Sequence, residues 1–202
     1  MGMMIEAETI AELQDRWTTR WHEIESEPVA EQDPMALVFG NHRANFKLWH
    51  EEDKARDPSA SDAQIAAVKR SIDLLNQRRN DVLERIDEML LRASPIASAD
   101  ALLHSETPGM MIDRMSILAL KIFHTKEQMG RGEASQAHRD HSAERLRILE
   151  EQRSDLVRCL SALWSAVLGG ERRFKIYRQM KMYNDPELNP MIYGSRSIRS
   201  SS

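Results

Sequence analysis

The chain is poor in the residues that build disulfide-bonded or membrane-spanning proteins. Its 202 residues include one cysteine, Cys159, which excludes an intramolecular disulfide and a cysteine-based metal site. No stretch approaches the roughly 18 consecutive apolar residues of a membrane span, and the acidic N-terminus does not resemble a signal peptide. We therefore expect a cytoplasmic protein without a membrane segment. Cys159 lies among apolar residues, so we expect its thiol to be buried and unreactive.

Glycine and proline are also scarce. The eight glycines and seven prolines fall mostly between segments of regular apolar spacing, as is typical of α-helical proteins. A hydrophobic content of 41% and a charged content of 30% suit one soluble domain, and the net charge of −4 argues against general nucleic-acid binding. We predict a single domain over residues 1–182, followed by a C-terminal arm over 183–202 that is disordered at its end.

Apolar periodicity and capping residues predict the helices. Thr9 should cap the first helix, and Thr107 with Pro108 should begin a fourth that is apolar on several sides. Residues 95–107 are predicted to be a loop. The fold class that follows is all-α, an antiparallel bundle of five to six helices with a central buried helix near 108–129 and an extended C-terminal arm. The predicted helices are 9–27, 33–56, 61–94, 107–130, 135–168 and 171–182.

A single arginine interrupts the apolar face of the third predicted helix. Arg79 occupies a position where the spacing of its neighbours calls for leucine. A guanidinium there cannot lose its charge, so it needs a carboxylate, carbonyl groups or an anionic ligand beside it. We expect Arg79 to be largely buried and within hydrogen-bond reach of Glu52 or of a bound anion.

Other helices carry similar polar interruptions, and two interpretations of them stay open. In one, the polar groups pair with each other and only fix helix register in a structural or interaction protein, such as a homodimer. In the other, they bind a small anion such as a phosphate, a sugar phosphate or a nucleotide. We take ligand binding as the function to test, because the cations outnumber the core carboxylates. The predicted ligand-binding residues are Asn45, Glu52, Asp53, Asn76, Arg79, Asp113, Arg114, Lys121 and His124.

Whether the protein is an enzyme is left open by the sequence. His50 and His124 are the acid–base candidates, because imidazole titrates near neutral pH. No Gly-rich phosphate loop and no Gly-x-Ser-x-Gly element occurs, and no histidine follows an acid by three positions as in ferritin-like di-iron bundles. We expect no metal and no cofactor. A second alternative is a magnesium-dependent nucleotide pyrophosphohydrolase, for which Glu52, Glu84 and Asp87 would have to converge.

Several segments together resemble a known family. The strongest runs from Glu106-Thr107-Pro108-Gly109 into Ile112-Asp113-Arg114 and on to His124. The supporting segments are Leu48 to Asp53 with Arg56, Lys69 to Asp81, and Tyr177 to Gly194. Over roughly residues 35–195 the chain resembles the bacterial domain-of-unknown-function 4254 family. The resemblance implies an all-α fold and no established activity. It also implies a link to cell-surface polysaccharide synthesis, which makes a sugar-linked or nucleotide-linked anion a natural ligand.

Overall fold

The computed structural model describes residues 6–24, 34–98, 100–180 and 187–191. These residues form an all-α bundle of five helices, as the sequence predicted. They also form one short parallel ladder of two strands that was not predicted, because β1 lies in the segment expected to be a loop. None of these helices combines the length and the apolar composition that a membrane crossing requires. The elements are α1 (Ala7–Glu23), α2 (Pro34–Lys54), α3 (Asp62–Ala93), β1 (Leu102–Leu103), α4 (Pro108–Gly130), α5 (Gln136–Leu168) and β2 (Arg172–Arg173).

Helix α4 is the centre of the bundle. It packs against α1, α2, α3 and α5, and Met111, Ile112 and Met115 are almost completely buried in the main core. A helix that is apolar on several sides must be covered on several sides, which is why its sequence predicted this position. The four surrounding helices therefore meet along α4, and a polar side chain buried on α4 needs a partner among them.

The capping residues place most helix starts correctly. Ser61 and Gln64 form the predicted capping box of α3, and the Thr107 side chain accepts a hydrogen bond from the Met110 N–H at the start of α4. The first helix begins earlier than predicted, at Ala7 rather than after Thr9. Ala7 is fully buried, so tertiary packing extends that helix past the local capping signal. The predicted cap of the second helix, residue 33, lies outside the described residues.

The predicted sixth helix over 171–182 is wrong. After α5, Gly170 adopts a φ of 75°, and the chain turns to form β2. There the Leu102 N–H bonds the Glu171 carbonyl and the His104 N–H bonds the Arg173 carbonyl, at 3.1 and 2.8 Å. Pairing with a loop about 70 residues away thus overrides the helical propensity of this segment.

The segment that follows β2 leads towards the predicted C-terminal arm. Residues 174–180 are not helical, and Arg178 and Gln179 contact α3. The Arg178 guanidinium bonds Glu84 and Glu88 at 3.3 and 3.2 Å, and the Gln179 N–H bonds Glu84 at 3.0 Å. Arg178 thus ties this segment to α3. The predicted disorder beyond residue 195 lies outside the described residues.

A buried carboxylate joins α3 to the start of α4. The Asp87 side chain accepts hydrogen bonds from the Thr107 hydroxyl at 2.5 Å and the Gly109 N–H at 2.7 Å. The carboxylate thus satisfies a free N–H group of the first helical turn. Gly109 leaves little room, because a Cβ there would lie 2.6 Å from an Asp87 carboxylate oxygen and 3.0 Å from the Leu83 carbonyl oxygen. This junction fixes the position of α4 relative to α3.

Two glycine substitutions should have opposite effects on stability. Gly109→Ala should lower the free energy of unfolding by roughly 1–3 kcal/mol, because the added methyl overlaps Asp87. Gly40→Ala, on α2, is the matched control: its Cβ would meet only Val82 at 3.7 Å, an ordinary contact. Gly40→Ala should raise stability by roughly 0.5–1 kcal/mol through helix propensity. Urea denaturation measures both, and a Gly109→Ala protein as stable as the wild type would show that the junction is not tightly packed.

Asp87 should make stability depend on pH. Burial raises the pKa of Asp87 from 3.8 to about 6, and the hydrogen bonds from Thr107 and Gly109 offset only part of that rise. Because the folded pKa lies above the unfolded one, the stabilising contribution is complete below about pH 3.8 and is lost as the pH rises through about 6.

Relative to Asp87→Asn, the wild type should lose roughly 2–3 kcal/mol of unfolding free energy between about pH 4 and about pH 7. Denaturation of both proteins across this range measures the difference. A difference that does not change with pH would contradict the raised pKa.

Candidate functional site

A buried carboxylate on the central helix organises the polar interior. Asp113 of α4 accepts hydrogen bonds from the side-chain amides of Asn41 and Asn45 on α2, at 2.8 and 2.9 Å. Arg79 of α3 brings its Nε atom to 3.5 Å from the same carboxylate oxygen. That distance makes an ion pair, but the N–H direction does not give a hydrogen bond. One carboxylate oxygen thus links three helices.

A directional chain of hydrogen bonds continues from this carboxylate to α1. Asn45 also donates to the Ser116 hydroxyl at 3.0 Å, and Ser116 lies 2.7 Å from Nδ1 of His42. Nε2 of His42 lies 2.9 Å from the Thr18 hydroxyl, which itself donates to the Gln14 carbonyl. Burial lowers the pKa of His42 to about 3, so the ring is neutral. Since the Thr18 proton is already used, Nε2 carries the ring proton and Nδ1 accepts from Ser116.

Arg79 lies where its sequence position predicted, but its partner is different. Its side chain is 28% exposed, so it is half-buried, and its ion pair is with Asp113. The expected Glu52 instead pairs at 2.9 Å with Arg56, which lies four residues further on in the turn after α2. The two terminal nitrogens of Arg79 have no hydrogen-bond partner among the described residues. They remain available in the hollow that Arg79 lines.

This hollow, here the Arg79 cavity, lies between α2, α3 and α4 and has a volume of about 460 Å³. Its apolar wall comes from α2 and α4, and amides and charged groups complete it. Five of the nine predicted ligand-binding residues line it. The lining residues are Asn45, Leu48, Trp49, Glu52, Asp53, Arg56, Asn76, Arg79, Ile117 and Leu120.

A second hollow, here the Lys121 cavity, lies beside the first and has a volume of about 350 Å³. Lys121 and Arg145 have no hydrogen bond or ion pair through their side chains to any other described residue. The cavity is therefore more cationic than the Arg79 cavity. Its lining residues are Trp49, Asp53, Lys121, His124, Thr125, Gln128, His138, His141, Ser142 and Arg145.

The two cavities share a boundary. Trp49 and Asp53, one turn apart on α2, line both of them. Ile117 lines the first and Lys121, one turn further along α4, lines the second. We call this combined surface the α2–α4 groove. Most of the predicted ligand-binding residues line it, and Asp113 lies beneath it with Arg79.

The catalytic candidates lie in a cluster of histidines near the Lys121 cavity. The rings of His22, His50 and His124 have centroids 5.1 to 6.0 Å apart. Burial, His22 and His124 lower the pKa of His50, in that order of effect, so His50 is a neutral ring at neutral pH. His124 stacks on Trp49 at 4.6 Å and bonds Glu127 through Nδ1. Only His124 of the two candidates lines the groove.

Arg114 and Cys159 do not line the groove, although the hollow they line shares Ile117 and Lys121 with it. Arg114 pairs with Glu106 at 2.5 Å and lines a third hollow of about 710 Å³ between α4 and α5, together with Cys159 and Lys121. Cys159 is exposed, so the expectation of a buried thiol is wrong. It lies at the margin of the apolar stripe of α5, where Leu156 and Leu160 point into the core and Cys159 does not.

The three carboxylates of the pyrophosphohydrolase alternative have separate partners. Glu52 pairs with Arg56, Glu84 bonds Arg178, and Asp87 accepts from the start of α4. Within the described ranges, no group of three His, Cys, Asp or Glu side chains is arranged to hold a metal ion. The described geometry thus gives this alternative no support.

Several buried polar residues were missed from the sequence. His42, Thr18 and Ser116 are almost fully buried, although polar residues at their spacing also occur on solvated faces. The buried arginine of α5 is Arg153, which bonds Asp15 and the Ala11 carbonyl of α1. The signal that could have revealed them is a polar residue one turn from strongly apolar ones, as Thr18 is from Trp21.

The described residues define an all-α bundle protein with a polar groove beside its central helix. Residues 35–176 match the sequence model of a family described as "Protein of unknown function (DUF4254)". The chain belongs to this family. Searches of curated proteins and of solved structures found no match. The matched region contains α2 to α5 and so includes both cavities.

Removing the Arg79 guanidinium should destabilise the fold through Asp113. Arg79→Met should lower the free energy of unfolding by roughly 1–3 kcal/mol, less than for a fully buried pair because Asn41 and Asn45 still bond the carboxylate. Adding Asp113→Asn should recover part of that loss. Arg78→Met, on the exposed side of the same helix, should change stability by less than about 0.5 kcal/mol. Equal effects at positions 78 and 79 in denaturation experiments would show that the ion pair contributes nothing.

Proposed function

We propose that the α2–α4 groove binds a small anionic ligand, a phosphate, sugar phosphate or nucleotide. The observation that carries the proposal is a set of cationic groups that have no partner among the described residues. They are Lys121, Arg145 and the terminal nitrogens of Arg79, and all three residues line the groove. Structural ion pairs would leave few such groups free, whereas an anion site needs them. The cavity volumes are within the range of small-molecule sites.

The buried network around Asp113 stabilises the fold, and it also supports ligand binding in the groove. Asp113, which is held by the amides of α2, pairs with the Nε atom of Arg79. This contact restricts the Arg79 side chain and so positions its terminal nitrogens in the cavity. The structural interpretation predicted a fully paired network with no cavity. Most groups around Asp113 and His42 are paired, but the buried Oδ1 of Asn41 has no hydrogen-bond partner among the described residues, and a cavity lies directly beside the network.

We also propose that the protein is bacterial and cytoplasmic and that it is linked to cell-surface polysaccharide synthesis. We propose further that its C-terminal arm packs against its own bundle or against a partner subunit in a homodimer. The family resemblance supports the first part, and the contacts of Arg178 with α3 support the packing of the arm. Light scattering tests the homodimer by measuring the molecular mass of the protein with and without residues 183–202. If the arm crosses between subunits, its removal should lower the number of subunits per particle.

A thermal-shift screen followed by calorimetry tests the anion site. Inorganic phosphate, pyrophosphate, nucleotides and sugar nucleotides should be compared, each with and without magnesium. A ligand at 100 times its dissociation constant should add about 2.7 kcal/mol of stability. Lys121→Met with Arg145→Met should abolish the shift. Lys126→Met is the matched control on α4, because Lys126 pairs with Glu150 outside the groove. The proposal fails if no anion binds, or if binding survives the double substitution.

A further inference from the structure

We infer that the α2–α4 groove takes a nucleoside phosphate, with its phosphate in the Lys121 cavity and its base in the Arg79 cavity. This rests on the proposed function and adds a ligand class and an orientation to it. The two cavities differ in charge, in hydrogen-bonding groups and in position along the bundle, and each difference bears on one part of such a ligand.

The charge balance assigns the phosphate. In the Arg79 cavity, Arg79 already faces Asp113 and Arg56 already faces Glu52, so little positive charge is left over. In the Lys121 cavity, Lys121 and Arg145 have no carboxylate partner among the described residues. A doubly charged phosphate is therefore bound more favourably at the Lys121 end.

The hydrogen-bonding groups of the Arg79 cavity suit a heterocyclic base. The Asn76 side chain has no hydrogen bond to any other described residue, and it offers both donors and an acceptor. The terminal nitrogens of Arg79 add further donors, and Trp49, Ile117 and Leu120 form an apolar wall. Such a mixture of apolar surface and a few directed polar groups recognises an uncharged ring better than a second anion.

The boundary between the cavities suits a ribose. Asp53 lines both cavities, so this residue lies at the boundary between the base end and the phosphate end. A carboxylate there would repel the phosphate but accept hydrogen bonds from sugar hydroxyls, as acidic residues do for ribose in dinucleotide sites. An acidic group at the middle of an anion-binding groove is otherwise an unfavourable feature.

The separation of the cavities favours a nucleotide over a shorter ligand. The α4 residues that line them are Ile117 and Leu120 in one case and Lys121, His124, Thr125 and Gln128 in the other. The two sets are centred about six residues apart, which is roughly 9 Å of helix. A phosphate bonded directly to a hexose is too short to fill both positions, whereas a pentose between base and phosphate provides the extra length.

Calorimetry with four probes tests the assignment. Two are inorganic phosphate and glucose 1-phosphate. The third is whichever of AMP and UMP binds more tightly, and the fourth is the uncharged nucleoside of that nucleotide. The nucleotide should bind at least about tenfold more tightly than phosphate, since contacts of the base with Asn76, Arg79 and the apolar wall add to the phosphate contacts. Glucose 1-phosphate should bind about as weakly as phosphate. If glucose 1-phosphate equals the nucleotide, the length criterion and the inference are wrong.

Three substitutions test the orientation. Asn76→Leu should weaken nucleotide binding roughly tenfold and leave phosphate binding unchanged. Gln77→Leu is its matched control, because Gln77 is exposed on the same helix. Asp53→Asn should weaken the binding of the nucleotide but not that of phosphate. Lys121→Met should weaken the binding of every phosphorylated probe. The melting temperatures of these variants should stay near that of the wild type.

The outcomes separate this inference from the proposed function. If phosphate binds in a Lys121-dependent manner but the nucleotide gains nothing over it, the inference is wrong and the anion site stands. If Asn76→Leu weakens inorganic phosphate, the orientation is reversed and the inference is wrong. If neither phosphate nor nucleotide binds, the proposed function itself fails.

Discussion

The structure depends on how one buried negative charge is held. Asp113 lies on the central helix, and its carboxylate is stable there only because α2 supplies two amides and α3 supplies a guanidinium. A buried carboxylate without these partners would be costly, so the three helices cannot shift independently past α4. The neutral His42 extends the same constraint to α1. The register of the four helices is therefore set by polar contacts, while the apolar core supplies most of the driving force.

This arrangement also explains why a groove exists where it does. The side chains that pair with Asp113 are polar, and they do not fill the space above it as larger apolar side chains would. The surface between α2 and α4 is therefore concave. The cations of the groove differ in their partners. Arg79 and Arg56 each pair with a carboxylate, whereas Lys121 and Arg145 have no such partner among the described residues. An uneven distribution of free charge along one groove gives it a direction, which a ligand with two unlike ends can recognise.

The sequence allowed the fold to be predicted well and the site in part. Helix starts at Ser61 and Thr107 and the central position of α4 follow from capping and periodicity, which are local properties. Arg79 could be recognised because it breaks an apolar face. Its partner could not, because Glu52 and Asp113 are both reasonable in sequence and only helix packing selects Asp113. The same limit explains the false sixth helix, whose residues pair with a distant loop, and the exposure of Cys159 at the edge of a stripe.

The short ladder has a mechanical consequence for the bundle. β1 lies just before α4 and β2 just after α5, so their pairing closes a loop of about 70 residues that contains both helices. Closing a chain of that length costs roughly 4 kcal/mol of entropy once, and the backbone bonds then anchor both helices at the same end. The ladder joins α4 and α5 at one end and the turn over 131–135 joins them at the other, so the two helices are tied at both ends and are expected to move against the rest of the bundle as one unit. Gln128 and His138 of the Lys121 cavity lie next to that turn, so the cationic end of the groove lies at the closed end of the hairpin.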